Sequence, residues 1–191
     1  MKKNKASILK LNENIWPLER DVLFRPDRLK YVRKLIKPQG CVFCHAVKSE
    51  TSYETLGLYK SKYSMVILNK FPYNPGHILV VPQRHIGDLT QMNAVESQDL
   101  HETLMLAMNA IKAVFSPGGM NVGMNHGAVA GAGIPEHLHW HIVPRWSGDL
   151  NFFPLIAETK VSPQSLEETY QLLSKYFISL QKKTNKKRNK S

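Results

Sequence analysis

Residues 137 to 143 read His-Leu-His-Trp-His-Ile-Val, and few heptapeptides restrict a backbone so tightly. Successive side chains of a β-strand point to opposite faces, so His137, His139 and His141 would share one face with neighbours ~6.5 to 7 Å apart. Leu138, Trp140 and Ile142 would take the other. The apolar face suits a core. The histidine face does not, because each imidazole brings two ring nitrogens that need partners. The segment is predicted to be a strand with one face in the core and the other lining a site.

Three readings of that face differ in chemistry. In the first, the imidazoles are partly exposed or hydrogen-bonded residues without function. In the second, His-x-His supplies ligands to a catalytic zinc that activates water. In the third, one imidazole attacks phosphorus while the others orient it. The preceding stretch HGAVAGAGIPEH favours the third, because Gly127, Gly131 and Gly133 permit backbone conformations and close approach that present N–H groups to phosphate.

Around the triad, periodicity predicts one α+β domain built on an antiparallel sheet. YSMVILN and HILVVP read as paired strands joined by the turn KFPYNPG, MNVGMN as a further strand, and HLHWHIVP as the strand carrying the triad. A long helix is expected from Asn93 to Phe115, opened by an Asn93/Glu96 capping box, with Leu100, Leu104, Ala107, Ile111 and Val114 on one stripe. A C-terminal helix is expected after Ser162 as cap and Pro163 at the first helical position, with Leu166, Tyr170, Leu173, Phe177 and Leu180 facing the core. A short helix is also predicted within RPDRLKYVRKLIKPQG, followed by CVFC and a polar loop to Thr55. Both long helices are expected to pack on the sheet.

At 191 residues the chain has the length of one domain. Its net charge of +11 would point to a nucleic-acid partner if it were spread over a surface. It is not. Residues 1 to 5 and 181 to 191 hold nine Lys and Arg and no acidic residue, leaving +2 for the rest. The expected organisation is a basic N-terminal tail over residues 1–16, a single domain over 17–180 and a disordered basic tail over 181–191. The tails are either solvated or make weak, nonspecific contact with nucleic acid. No apolar run reaches the ~18 residues of a membrane span, and no secretory signal opens the chain, so the expected location is the cytoplasm, with no membrane partner.

HLHWHIV fits the histidine triad pattern, in which His alternates with apolar residues. LNKFPYNPGHILVVP, RHIGDL and NVGMN with its Gly-rich loop occur in the order found in histidine triad (HIT) proteins. The chain resembles that superfamily from about Cys41 to Leu155. Within it, NPGH, NVGMN, EHLHWHIVPRW and GDLNF are most similar to bacterial diadenosine tetraphosphate phosphorylases and the fragile-histidine-triad branch.

The resemblance implies a HIT-like fold and nucleotidyl transfer on a diadenosine polyphosphate. His139, the middle histidine, would attack the α-phosphorus, and water or inorganic phosphate would then accept the nucleotidyl group. His141 would contact phosphate, and His77 of NPGH would be the additional histidine near the nucleophile. Asn69 matches the residue that reads the ribose, and Asn125 the one that helps hold sugar and phosphate. At Gly133 and Ile134, where many relatives carry Gln, Ser or Thr, contacts would fall to backbone N–H groups, with Gly131 beside them. The alternatives are hydrolysis of nucleoside phosphoramidates or adenylyl conjugates, and processing of nucleic-acid ends.

Cys41 and Cys44 form C-x-x-C, half of a tetrahedral site. Alone it fits a redox pair or two buried thiols equally well. The resemblance completes it with His85 and His137, implying one structural zinc per chain and no organic cofactor. His45 is an alternative ligand. Arg145, Asp149 and Asn151 match an extension of the site without an assigned chemistry, and Trp16 beside Pro17 is expected to pack in the core, against a base or on a neighbouring subunit. A homodimer through the long helix and its adjoining strand is expected.

Overall fold

The computed structural model describes residues 40–149 and 163–188. The helix expected before Gly40, Trp16 with Pro17, Asn151 and the cap Ser162 lie outside the described residues.

Among the described residues, five strands form one antiparallel sheet: β1 (Gly57–Lys60), β2 (Ser64–Leu68), β3 (Ile78–Pro82), β4 (Gly119–Gly123) and β5 (Trp140–Arg145), in the order β1-β2-β3-β5-β4. β2 and β3 pair in full register from Ser64 opposite Pro82 to Leu68 opposite Ile78. Their side chains are buried on both faces, which explains why both strands read as unbroken apolar runs. β5 continues the sheet with Ile142 opposite Ile78 and His141 opposite Leu79.

The register sorts the residues between two cores. Val66, Leu68, Ile78, Val80 and Ile142 form the larger one with Leu100, Ala107 and Ile111 of α2 (Ala94–Phe115) and with Tyr170, Leu173 and Phe177 of α3 (Leu166–Arg188). Met65, Ile67, Leu79 and Val81 face the other way, onto Phe43 and Ala46 of α1 (Val42–Lys48). The α+β fold and the two packed helices agree with the sequence expectation. The Tyr170 hydroxyl donates to the Gly57 carbonyl over 3.0 Å, fixing α3 to the edge strand β1.

α2 opens with the expected capping box: the Asn93 side chain accepts from Glu96 N–H, and the Glu96 carboxylate accepts from Asn93 N–H. Arg84 donates to both Glu96 oxygens at 2.7 Å, tying the loop after β3 to the start of the helix.

Four expectations need correction. The triad strand begins at Trp140, so of the three histidines only His141 lies in β5. His137 and His139 belong to the incoming loop, whose Leu138 N–H bonds the Ile86 carbonyl rather than a strand partner. The polar loop expected after CVFC starts later than predicted, because a helix runs from Val42 to Lys48 and buries Phe43 and Ala46 on one side. α3 starts at Leu166 rather than at Pro163, with Ser165 at its N-terminus: the Ser165 hydroxyl accepts from Glu168 N–H while the Glu168 carboxylate accepts from Ser165 N–H. Finally, α3 runs through the segment expected to be disordered, as far as Arg188, because Gln, Lys and Arg are good helix formers and nothing there breaks the turn.

Candidate active site and metal cluster

α1 sets out one half of a cluster. Cys41 precedes the first helical residue and Cys44 follows three positions later, the spacing that brings two side chains to one helix face. The Cys41 thiol lies 3.4 Å from His137 Nδ1, and the Cys44 thiol 3.2 Å from His85 Nδ1 and 3.6 Å from His137 Nδ1. The four ligand atoms all fall within 4.8 Å of one another. A tetrahedral zinc with ordinary Zn–S and Zn–N bonds has sulfur-to-nitrogen edges of about 3.6 Å, so the donor set and its spacing fit that metal. His137 Nε2 donates to the Pro82 carbonyl over 2.8 Å, which leaves the Nδ1 lone pair facing the thiols. Burial and the adjacent Cys41 push the Cys44 thiol up, and a cation among the four would oppose both effects. His45, one residue past Cys44 on α1, is exposed and outside the cluster because one helical residue turns the side chain by ~100°.

The hydrogen bonds also assign protons in the rest of the row. His139 Nδ1 lies 2.8 Å from the His137 carbonyl. A carbonyl only accepts, so the proton is on Nδ1 and the neutral ring keeps its lone pair on Nε2. His77 accepts the Tyr73 backbone N–H at Nδ1 over 3.0 Å, so its proton is on Nε2, directed at His141 Nδ1 2.9 Å away. His141 therefore accepts at Nδ1 and carries its proton on Nε2. Burial holds the pKa of His139 below the ordinary range against the opposing pull of the His137 carbonyl. Burial, with help from His139, lowers His141 to about 4. Both rings are neutral near pH 7. The ring centres of His139 and His141 stand 5.2 Å apart, and those of His141 and His77 5.1 Å.

The remaining expected residues are arranged around this row. Asn69 brings its amide nitrogen within 3.2 Å of the His77 ring nitrogens, while its oxygen accepts from Phe71 N–H and shapes the turn. Asn125 donates to the Gly131 carbonyl over 3.2 Å, closing the exposed Gly-rich loop. Gly127 and Gly131 both adopt positive φ, 88° and 92°, which the loop requires. Gly133 is exposed, and Ile134 packs its side chain against the Phe43 cluster. Arg145 bonds Asp149 and Asn121, and Asp149 also accepts from the buried Asn74 amide.

Three participants escaped sequence reasoning. Phe43 places its ring 5.4 Å from that of His137 and 5.2 Å from that of His139. Its position between the two cysteines was the available signal. Asn74, in the NPG turn before His77, donates to the Pro144 carbonyl over 2.6 Å. Gly87 lies so close to the triad loop that a Cβ there would come within 2.6 Å of the Pro135 carbonyl oxygen.

Residues 50–148 match the HIT domain model. The chain belongs to the HIT domain family. This HIT protein is 45% identical over 121 residues to an AP-4-A phosphorylase of Mycobacterium tuberculosis, a match covering 63% of the chain and 62% of the phosphorylase. The chain thus spans somewhat less than two thirds of that relative. It is 41% identical over 97 residues to a bis(5'-adenosyl)-triphosphatase of Saccharomyces cerevisiae, covering 48% of the chain and 47% of the triphosphatase. A Zn-bound histidine triad family protein from Mycobacterium smegmatis superposes with a TM-score of 0.59 at 27% identity, over 75% of this chain and 96% of that one. Among the described residues no helix is long and apolar enough to cross a membrane.

Proposed function

We propose that the chain is a nucleotidyl-transfer enzyme acting on diadenosine polyphosphates, diadenosine tetraphosphate above all. One observation carries this reading: the hydrogen bonds leave His139 with an Nε2 lone pair beside a ring, His141, whose Nε2 bears a proton. His139 Nε2 attacks the α-phosphorus and forms a P–N bond as the bond to the bridging oxygen breaks. The His141 N–H donates to an oxygen of the reacting phosphate, where charge builds up. His77 fixes the His141 tautomer. Inorganic phosphate or water then attacks the same phosphorus and releases His139. Asn69 reads the ribose, Asn125 helps hold sugar and phosphate, and the backbone N–H groups of Gly131, Gly133 and Ile134 supply the remaining phosphate contacts.

Cys41, Cys44, His85 and His137 would hold one structural zinc. Four protein ligands leave no open position for substrate, so the ion would act as a clamp between α1 and the triad loop. The AP-4-A phosphorylase relative supports phosphate as acceptor, and the triphosphatase relative supports water. A cytoplasmic homodimer completes the reading. β4 is an edge strand with Val122 exposed, and α2 exposes Val95 and Met105, which offers a strand edge and helix for pairing across a two-fold axis. The basic ends, residues 1–5 and 181–191, would add weak, nonspecific contact with nucleic acid.

The deciding experiment incubates the protein with diadenosine tetraphosphate with and without inorganic phosphate and identifies the products. ADP and ATP formed only with phosphate establish a phosphorylase. AMP and ATP formed without it establish a hydrolase. No turnover in either condition refutes the proposed substrate.

A further inference from the structure

Phe43 occupies an unusual position. It sits between Cys41 and Cys44 in sequence, is only 6% exposed, and anchors its ring in the apolar cluster of Ala46, Met65, Ile67, Leu79 and Val81. From that base it meets two imidazoles at once. One is His137, met at an interplanar angle of 74°; the other is His139, met at 43°. His137 and His139 precede β5, so no strand ladder fixes them. Their orientation depends instead on the His137-to-Pro82 and His139-to-His137 hydrogen bonds, on the thiols and His85 beside His137, on His141 beside His139, and on the Phe43 ring, which touches both.

We propose that Phe43 is a positioning residue for His139. Two hydrogen bonds to backbone fix the Nε2 edge of His137 and the Nδ1 edge of His139, and with them both tautomers, but each leaves an imidazole free to rock about its bond. A flat ring packed against the side of both removes that freedom. Because Phe43 is carried by the same turn as Cys41 and Cys44, any shift of that turn moves the wedge and the two thiols together. The C-x-x-C turn thus determines where the nucleophile points as well as what holds α1 in place. This role rests on the proposed nucleotidyl transfer by His139, although the placement of the ring does not.

The test uses the zinc-loaded protein with Phe43→Leu, which keeps an apolar side chain in the cluster but removes the flat face. Leu173→Ala serves as a control, since it hollows the core on the opposite side of the sheet. Both variants should melt below wild type. Only Phe43→Leu should lower kcat on diadenosine tetraphosphate, by about tenfold to a hundredfold, with KM changed less than about twofold, because misalignment of a bound nucleophile costs rate rather than binding. Its His139 Nδ1 proton resonance should broaden or shift while zinc content stays at the wild-type value. Equal kcat for Phe43→Leu and wild type, or an unaltered His139 resonance, would overturn the role. If the wild type turned over none of the substrate, the functional proposal would fall, and the resonance would still decide whether Phe43 positions the ring.

Discussion

His139 donates its Nδ1 proton to the backbone carbonyl of His137 over 2.8 Å, so the candidate nucleophile is oriented by the residue that also joins Cys41, Cys44 and His85 in the proposed zinc site. Within one dipeptide step the chain passes from a ring whose Nδ1 lone pair meets two thiols to a ring whose Nε2 lone pair meets the site. The two tautomers are opposite, and each is set by a carbonyl.

Replacing His139 with Ala should separate chemistry from folding. Turnover should fall at least about 10³-fold, because no other described imidazole in the row offers an Nε2 lone pair. Zinc content should match wild type and the melting temperature should move by only a few degrees. Steady-state kinetics and metal analysis check this, and near-normal turnover would remove His139 as nucleophile.

Metal removal should act through stability. At free zinc about a thousandfold above its Kd, binding to the native state adds about 4 kcal/mol, and a chelator should take that away as a lower melting temperature. Cys44→Ser should show the same shift without chelator. Metal analysis should give one zinc per wild-type chain; loss of activity on chelation with no change in melting would instead mark the metal as catalytic.

Acidification should weaken the fold through His141. Its native pKa of about 4 lies below the ordinary value near 6.5 expected in the unfolded chain. Between those values the unfolded state binds more protons, so the contribution to stability is complete above about pH 6.5 and is lost as pH falls through 4. His141→Gln should therefore flatten the dependence of melting temperature on pH between 6.5 and 4. Identical slopes for the two proteins would contradict the assignment.

Asn74 should matter more than its place in a turn suggests. Asn74→Ala leaves the Pro144 carbonyl and the Asp149 carboxylate without this donor in a buried position, a loss of about 1 to 3 kcal/mol. Denaturant unfolding measures it. A change below a few tenths of a kcal/mol would show that water replaces the amide.

The proposed homodimer can be tested at the sheet edge. Val122→Lys places a charge on the exposed strand β4, and sedimentation should show dimers for wild type and monomers for the variant. Dimers in both would move the interface elsewhere.

Periodicity located most of the scaffold. The capping box and apolar stripe of α2, the paired runs of β2 and β3, and the core face of α3 are local patterns that a folded chain has little freedom to use differently. The triad alternation does send Trp140 and Ile142 into the larger core, but the strand it predicts is too long, because pairing begins only at Trp140. A strand needs a partner at every step, and opposite His137 and His139 the loop from Gln83 to Asp88 takes that place.

By itself, the sequence determined which residue types could do chemistry and roughly which elements carry them: His137, His139 and His141 near one strand, His77 after a turn, and a C-x-x-C that alone fits a metal half-site, a redox pair or two buried thiols. Only the tertiary structure decided which nitrogen of each ring is protonated, that CVFC is helical, and that Phe43 lies against two imidazoles. Those properties depend on groups far apart in the chain, such as Pro82 with His137 and Tyr73 N–H with His77. A tautomer is set by whichever carbonyl or N–H the fold brings to one ring edge, and local sequence does not carry that distance.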